Sequence, residues 1–197
     1  QNAKQAAEGN YSYTRYDELG RIREVGQLEA LADQSALPSI ETLLDSAENV
    51  DFPSISDYVL DDRTITHYDD LTGMPKQDSL TARGIELHHL RGRVAWTEVK
   101  DNNPWRPLED NAPLQTFTAY SYDVHGNVEH LVQYAGELKH ISYEYDLVSG
   151  NVHCVAYQPD QTDQFMHRYR YDADNRLVEV ETSLDGYVWN TEAEYLY

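Results

Sequence analysis

The run Thr118-Ala119-Tyr120-Ser121-Tyr122-Asp123-Val124-His125-Gly126-Asn127-Val128 decides the fold. Residues that favour strands lead into Asp123, and Gly126 follows three positions later. Asp at the first position of a type I turn accepts a hydrogen bond from the backbone two residues on. Gly at the fourth position takes positive φ and forms the bulge that joins such a turn to a right-twisted hairpin. The run therefore predicts a strand over Thr116 to Tyr122, a four-residue reversal, and a return strand over Val128 to Tyr134. Tyr120 and Tyr122 lie two residues apart, so both rings leave the same face of the sheet.

The same phrase recurs along the chain. Tyr-x-Tyr pairs stand at Tyr120/Tyr122, Tyr143/Tyr145, Tyr169/Tyr171 and Tyr195/Tyr197, and self-similarity at a fixed pitch marks a repeat architecture. Tyr145-Asp146 runs on to Gly150 with one extra residue, which predicts a longer loop. Tyr171-Asp172 runs on to Asn175, the side chain that best tolerates the left-handed region in place of glycine. Upstream copies are Tyr16-Asp17 with Gly20, and Tyr68-Asp69 with Gly73, again one residue longer. Further strands are expected over Lys139 to Tyr145, Val152 to Gln158, Phe165 to Tyr171 and Leu177 to Ser183. Ala135-Gly136, Pro159 to Gln164 and Asp185-Gly186 supply the connections between hairpins. Alternation within these strands is imperfect: Leu177, Glu179 and Glu181 fall against Val178, Val180 and Thr182. Semi-polar residues on both faces predict a wall with water on either side.

Composition narrows the function. Of 197 residues, 35 are Asp or Glu and 15 are Lys or Arg, giving a net charge of −20. A surface this acidic repels a polyanion, so nucleic acid is not an expected partner. No run approaches the ~18 consecutive apolar residues of a membrane-spanning helix. One cysteine rules out an internal disulfide framework. The acidic excess reads first as a strongly hydrated surface and second as an acidic inner wall facing a basic payload. The 16 tyrosines against 3 phenylalanines point to a repetitive use of the phenol. The chain starts at Gln1 and stops at Tyr197 inside a repeat, so it is expected to be a piece of a longer protein.

Tyr-x-Tyr-Asp-x-x-Gly-Asn/Arg-hydrophobic at a spacing in the twenties resembles the RHS/YD-repeat family, most closely over Thr116 to Tyr197 and more loosely at Tyr11 to Val25. That resemblance implies antiparallel hairpins winding as part of a large β-sheet shell. Bacterial members enclose a toxic C-terminal polypeptide, toxin-complex members behave similarly, and teneurins use a related barrel for adhesion. It implies a structural, non-enzymatic segment of a secreted or cell-surface bacterial protein. Its partners would be the remaining repeats of the parent chain and the enclosed C-terminal toxin domain. The alternative is an extracellular adhesion or glycan-binding module, and a polysaccharide-acting enzyme has little behind it. The Asp-Pro-Gly-rich closing segment that carries autoproteolysis in bacterial members is missing, so that activity is not carried over.

Residues 1–28 are thus read as one repeat hairpin and 29–62 as an acidic insertion. Within the insertion Leu37, Ile40, Leu43, Leu44 and Ala47 have the spacing of a short amphipathic helix. Residues 63–115 are read as divergent repeats, with strand character over Gly84 to Val99 and a loop over Asn102 to Pro113, and 116–197 as the regular array. Candidate chemistry is sparse. Cys154 has His153 beside it, but consecutive strand residues point to opposite faces. A cross-strand base would have to be a residue such as His140, and Cys154 is read as a small core-facing residue. His88-His89 and His125/His130 lack carboxylate or Cys partners at zinc-ligand spacing. Asp-x-x-Gly lacks the alternating oxygen ligands of a calcium loop. No catalytic, cofactor or metal residue is expected, and the repeat residues themselves form the candidate site.

Overall fold

The computed structural model describes residues 4–5, 11–29, 59–100 and 116–197. Its strands are β1 (Lys4–Gln5), β2 (Tyr11–Tyr16), β3 (Ile22–Glu29), β4 (Val59–Tyr68), β5 (Val94–Lys100), β6 (Thr116–Tyr122), β7 (Val128–Tyr134), β8 (Leu138–Tyr145), β9 (Val152–Tyr157), β10 (Phe165–Tyr171), β11 (Leu177–Ser183) and β12 (Asn190–Glu194). They hydrogen-bond in chain order as one twelve-stranded sheet. The expected mainly-β, antiparallel meander is what the chain forms, and β6, β7, β10 and β11 begin and end at the residues the sequence indicates. Two compact units are distinguishable, Gln1–Tyr68 with Trp96–Phe117, and Asp69–Ala95 with Thr118–Tyr197.

In the first unit, β2 and β3 place Tyr13 opposite Gly26 and Arg15 opposite Glu24. Tyr13, Leu28, Leu60 and Trp96 are buried. Glu24 is buried among them because three donors converge on it: Tyr13 Oη at 2.5 Å, Arg63 Nε at 2.8 Å and Arg15 Nη1 at 3.2 Å. A charge taken out of water needs such partners. His67 stacks on Trp96 with ring centroids 3.7 Å apart, and its Nε2 lies 3.2 Å from Glu98.

The strands and their connections depart from the sequence reading in three places. Gly84 to Leu90 is not strand: after β4 the chain makes a six-residue helix, α1 (Gln77–Ala82), then runs irregularly to Val94. Leu80 is buried, His88 N–H donates to Ser121 Oγ at 2.8 Å, and Arg83 Nη1 donates to the Leu138 carbonyl at 3.2 Å. The segment thus covers the face of β6–β8 that carries Ser121 and Leu138, so that face is not open to water. Ile85, Leu87 and Leu90 are half-buried in this irregular stretch rather than set in a pleat. The expected helix at Leu37 to Ala47 lies outside the described residues, as does the loop at Asn102 to Pro113. Val59 to Asp62, assigned to the acidic insertion, already belong to β4.

The third departure concerns the phase of alternation. Register slips by one residue beside the second tyrosine of three copies, between Arg15 and Tyr16, Glu144 and Tyr145, and Arg170 and Tyr171. A bulge inserts one extra residue on one strand and inverts its side-chain phase beyond that point. Leu177 therefore pairs with Tyr171 and Val180 with Tyr169, while Glu179 and Glu181 face Arg170 and Arg168. One face of β10–β11 is aromatic and aliphatic. The other is an ionic ladder, with Arg168 bidentate on Glu181 at 2.8 and 2.9 Å.

Candidate functional site

Each regular turn is built around one carboxylate. Asp123 Oδ1 accepts from the amides of His125, Gly126 and Asn127 at 2.8, 2.7 and 2.9 Å, and Asn127 Nδ2 reaches Oδ2 at 2.9 Å. The Asp123 and Gly126 backbones close the loop, and Gly126 has φ +98°. Asp17 repeats this with Leu19 and Arg21, and Asp172 with Asp174 and Arg176. Asn175 takes φ +60° where glycine stands elsewhere. The Gly150 amide bonds to the Asp146 carbonyl one residue further round than in the tight copies, so this loop is longer, as expected. Hydrogen bonds from Ser149 hold the Asp146 carboxyl below the usual range, and the Arg176 side chain does the same for Asp172.

The copy at Tyr68-Asp69 does not close at Gly73, which corrects the sequence reading. The Asp69 amide bonds to the Arg93 carbonyl at 3.1 Å, and Asp69 Oδ1 accepts from the Gly92 amide at 2.6 Å. These are the contacts Asp123 makes with Asn127 and Gly126. The motif is therefore Tyr68-Asp69 … Gly92-Arg93-Val94, with the α1 segment inserted between its halves. Gly73, at φ +77°, belongs to a turn inside that insertion.

The structure assigns the tyrosines a role beyond their aromatic rows. The rings of Tyr68, Tyr122, Tyr145 and Tyr171 reach back to the preceding hairpin, and each hydroxyl donates to the carbonyl of that hairpin's first return-strand residue. Tyr68 donates to Ile22 at 2.8 Å, Tyr122 to Val94 at 2.9 Å, Tyr145 to Val128 at 2.8 Å and Tyr171 to Val152 at 3.0 Å. Where the preceding turn ends in arginine, the guanidinium lies over the same ring. Arg21 is 4.1 Å from the centre of Tyr68, Arg93 is 5.2 Å from Tyr122, and Arg176 is 5.0 Å from Tyr197. Burial raises the hydroxyl pKa of Tyr122 and Tyr145, so both remain proton donors at neutral pH. The first tyrosines stand beside them, with Tyr120–Tyr122 and Tyr143–Tyr145 centroids each 6.5 Å apart. Tyr169 is pushed up likewise by burial. Tyr195 and Tyr197 follow β12 and are exposed.

Phenylalanine cannot make this bond, which accounts for tyrosine at these four positions. The signal was present in the sequence: Gly20-Arg21-Ile22, Gly92-Arg93-Val94, Gly126-Asn127-Val128, Gly150-Asn151-Val152 and Asn175-Arg176-Leu177 share one form.

Elsewhere the titratable residues are spread thinly. Cys154 is half-buried rather than core-facing, and its neighbours across the strands are Glu144 and Arg168. Burial, then Glu144, raise its thiol pKa, the opposite of nucleophile activation. His140 is not its neighbour: the His140 amide bonds to Gln158 Oε1, and its ring to His130. Among the described residues no three His, Cys, Asp or Glu side chains converge as a metal requires.

No family model and no curated protein matches the chain. Solved structures are similar to the chain. One of them is titled "Crystal Structure of TcdB2-TccC3-Cdc42", with 15% identity and a TM-score of 0.43. The match covers 98% of this chain and 9% of that one, so the chain spans about a tenth of its length.

Proposed function

We propose that this chain is a segment of an RHS-type β-sheet shell that encloses the C-terminal polypeptide of a secreted or surface-exposed bacterial protein. Its role is containment, and it carries no catalytic activity of its own. The observation that supports this reading most is the recurring clamp of a tyrosine hydroxyl on the carbonyl of the previous hairpin. A bond that ties each hairpin to the one before it can be repeated indefinitely along a sheet, which suits a wall rather than a compact catalytic domain. Side-by-side addition also satisfies the backbone groups that an open edge leaves unpaired. The resemblance of the Tyr-Asp motif to the RHS/YD repeats supplies the expected occupant, a toxin or effector following the repeats.

The test is limited proteolysis of the parent protein. The polypeptide C-terminal to the repeats is expected to resist trypsin in the native protein and to be digested once the sheet is unfolded with urea. Digestion at the rate of the isolated polypeptide in native conditions refutes containment. Micromolar binding on a glycan array would instead support the adhesion reading.

A further inference from the structure

We propose that the His130–His140 pair is an acid-sensitive latch beneath the segment Leu71 to Leu90, which loosens from the sheet when both rings are protonated. This inference concerns the chain itself and stands whatever the sheet encloses.

The latch lies on the covered face. His130 on β7 and His140 on β8 approach with Nδ1 and Nε2 3.1 Å apart and ring planes tilted by 55°. A hydrogen bond between two ring nitrogens needs one donor and one acceptor, so at least one ring must stay neutral. Two imidazolium rings have only donors, and at this separation their charges repel. The residues around them offer little relief. His140 is buried, and its backbone is fixed on both sides by Gln158: the His140 amide donates to Gln158 Oε1, and the Gln158 amide donates to the His140 carbonyl, each at 2.7 Å. The rings line a cavity of about 360 Å³ together with Arg83, Gly84, Gln158 and Asp160.

The charged groups that face the pair come from every neighbouring element. Arg83 and His88 reach it from the covering segment, and both oppose further positive charge. Glu129, on β7, favours protonation of His130, and Asp160 sits at the cavity wall. Burial outweighs the acids. It lowers both rings, His130 below its ordinary value and His140 to about 4, the latter with help from His130 and Arg83.

The covering segment is the element that can yield. Its hydrogen bonds to the sheet are few: the His88 amide donates to Ser121 Oγ, the His88 carbonyl accepts from the Tyr122 amide, and Arg83 donates to the Leu138 carbonyl. The β7–β8 ladder beneath runs without a break from His130 opposite Ser142 to Tyr134 opposite Leu138. A depressed histidine destabilises the closed form progressively as pH falls from the ordinary value near 6.5 toward the folded value near 4. With those limits, the ratio of open to closed segment rises by about thirtyfold between pH 7.5 and pH 5. Glu24, Glu181 and the turn carboxylates titrate below their ordinary values, beneath this window.

Amide hydrogen exchange read by mass spectrometry tests the latch in the full chain, with rates corrected for the intrinsic pH effect. Peptides from 79–91 are expected to lose at least tenfold protection between pH 7.5 and pH 5, while peptides from β10 and β11 keep theirs. The double variant His130→Gln/His140→Gln, which retains neutral hydrogen-bonding groups, is expected to show no such loss. Unchanged protection in the wild type, or an equal loss in the double variant, overturns the proposal. A proton NMR titration of the wild type probes the latch without any substitution, and both rings are expected to titrate below their ordinary range. Ordinary midpoints for both rings while 79–91 stays protected overturn it too.

Discussion

Replacing Tyr145 with phenylalanine removes one oxygen and nothing else from the clamp. The Tyr145 hydroxyl donates to the Val128 carbonyl at 2.8 Å, across 17 residues of sequence. A net intramolecular hydrogen bond contributes about 1 kcal/mol, and a half-buried carbonyl that loses its donor recovers part of that from water. The expected cost is therefore about 1 kcal/mol. Tyr143→Phe is the internal control, because that hydroxyl makes no hydrogen bond among the described residues and its ring leaves the same face of the same strand. It should cost less than ~0.3 kcal/mol, the scale of a surface change. Urea denaturation followed by far-UV circular dichroism resolves the two. For slopes of about 1–3 kcal/mol per molar, the Tyr145→Phe midpoint falls by roughly 0.3–1 M and the Tyr143→Phe midpoint hardly moves. Tyr68→Phe, Tyr122→Phe and Tyr171→Phe should each match Tyr145→Phe, because they lose the same bond. Equal midpoints for Tyr143→Phe and Tyr145→Phe, or none displaced, would refute the clamp as a source of stability.

Three further outcomes are expected. Gly26→Ala puts a methyl group 2.9 Å from Tyr13 Cε1 and Oη. That ring is buried and tied to Glu24, so thermal unfolding should show a loss of about 1–3 kcal/mol. Glu24→Gln removes the buried anion on which Arg63 and Arg15 converge and should cost about 3 kcal/mol at pH 7. Burial pushes the Glu24 carboxyl up, but hydrogen bonds from Arg63 and Tyr13 bring its pKa below the ordinary value. Its stabilisation is therefore present above pH ~4.5 and fades as pH falls through the lowered value. The difference between wild type and variant should narrow accordingly in urea melts taken down to pH 3, and a constant difference contradicts the assignment. Iodoacetamide should alkylate Cys154 in the native chain at pH 8 several-fold more slowly than in urea, since its thiol pKa is raised. Equal rates would show that the thiol is not perturbed.

Much of the architecture was legible because turn chemistry is local. Asp123, Gly126 and their equivalents announce where the chain reverses, and hairpins placed end to end leave a meander as the natural topology. The strand limits of β6, β7, β10 and β11 followed directly. Side-chain phase was less accessible. A bulge beside Tyr171 depends on which residue of the return strand is skipped, and composition alone does not distinguish Leu177 from Val178. The insertion after Asp69 was misplaced because Gly73 offers a plausible end within five residues. The true end, Gly92-Arg93, is distant in sequence and identifiable only by its likeness to Gly20-Arg21. The hydroxyl clamps were hidden for a similar reason. Their donors and acceptors lie between 17 and 46 residues apart, and a strand pattern says which face a ring leaves but not what it reaches.

The divided motif at Asp69 and Arg93 has a consequence for how such a chain can grow. The two residues meet as closely as neighbours in a tight turn although a helix and a long irregular path intervene. The ladder below the meeting point is indifferent to what is spliced above it. Each reversal is accordingly a port at which foreign sequence can be grafted without unzipping the ribbon. A peptide inserted between Val124 and His125 should be carried outward on the same two-residue stem, with β6 and β7 still paired beneath it.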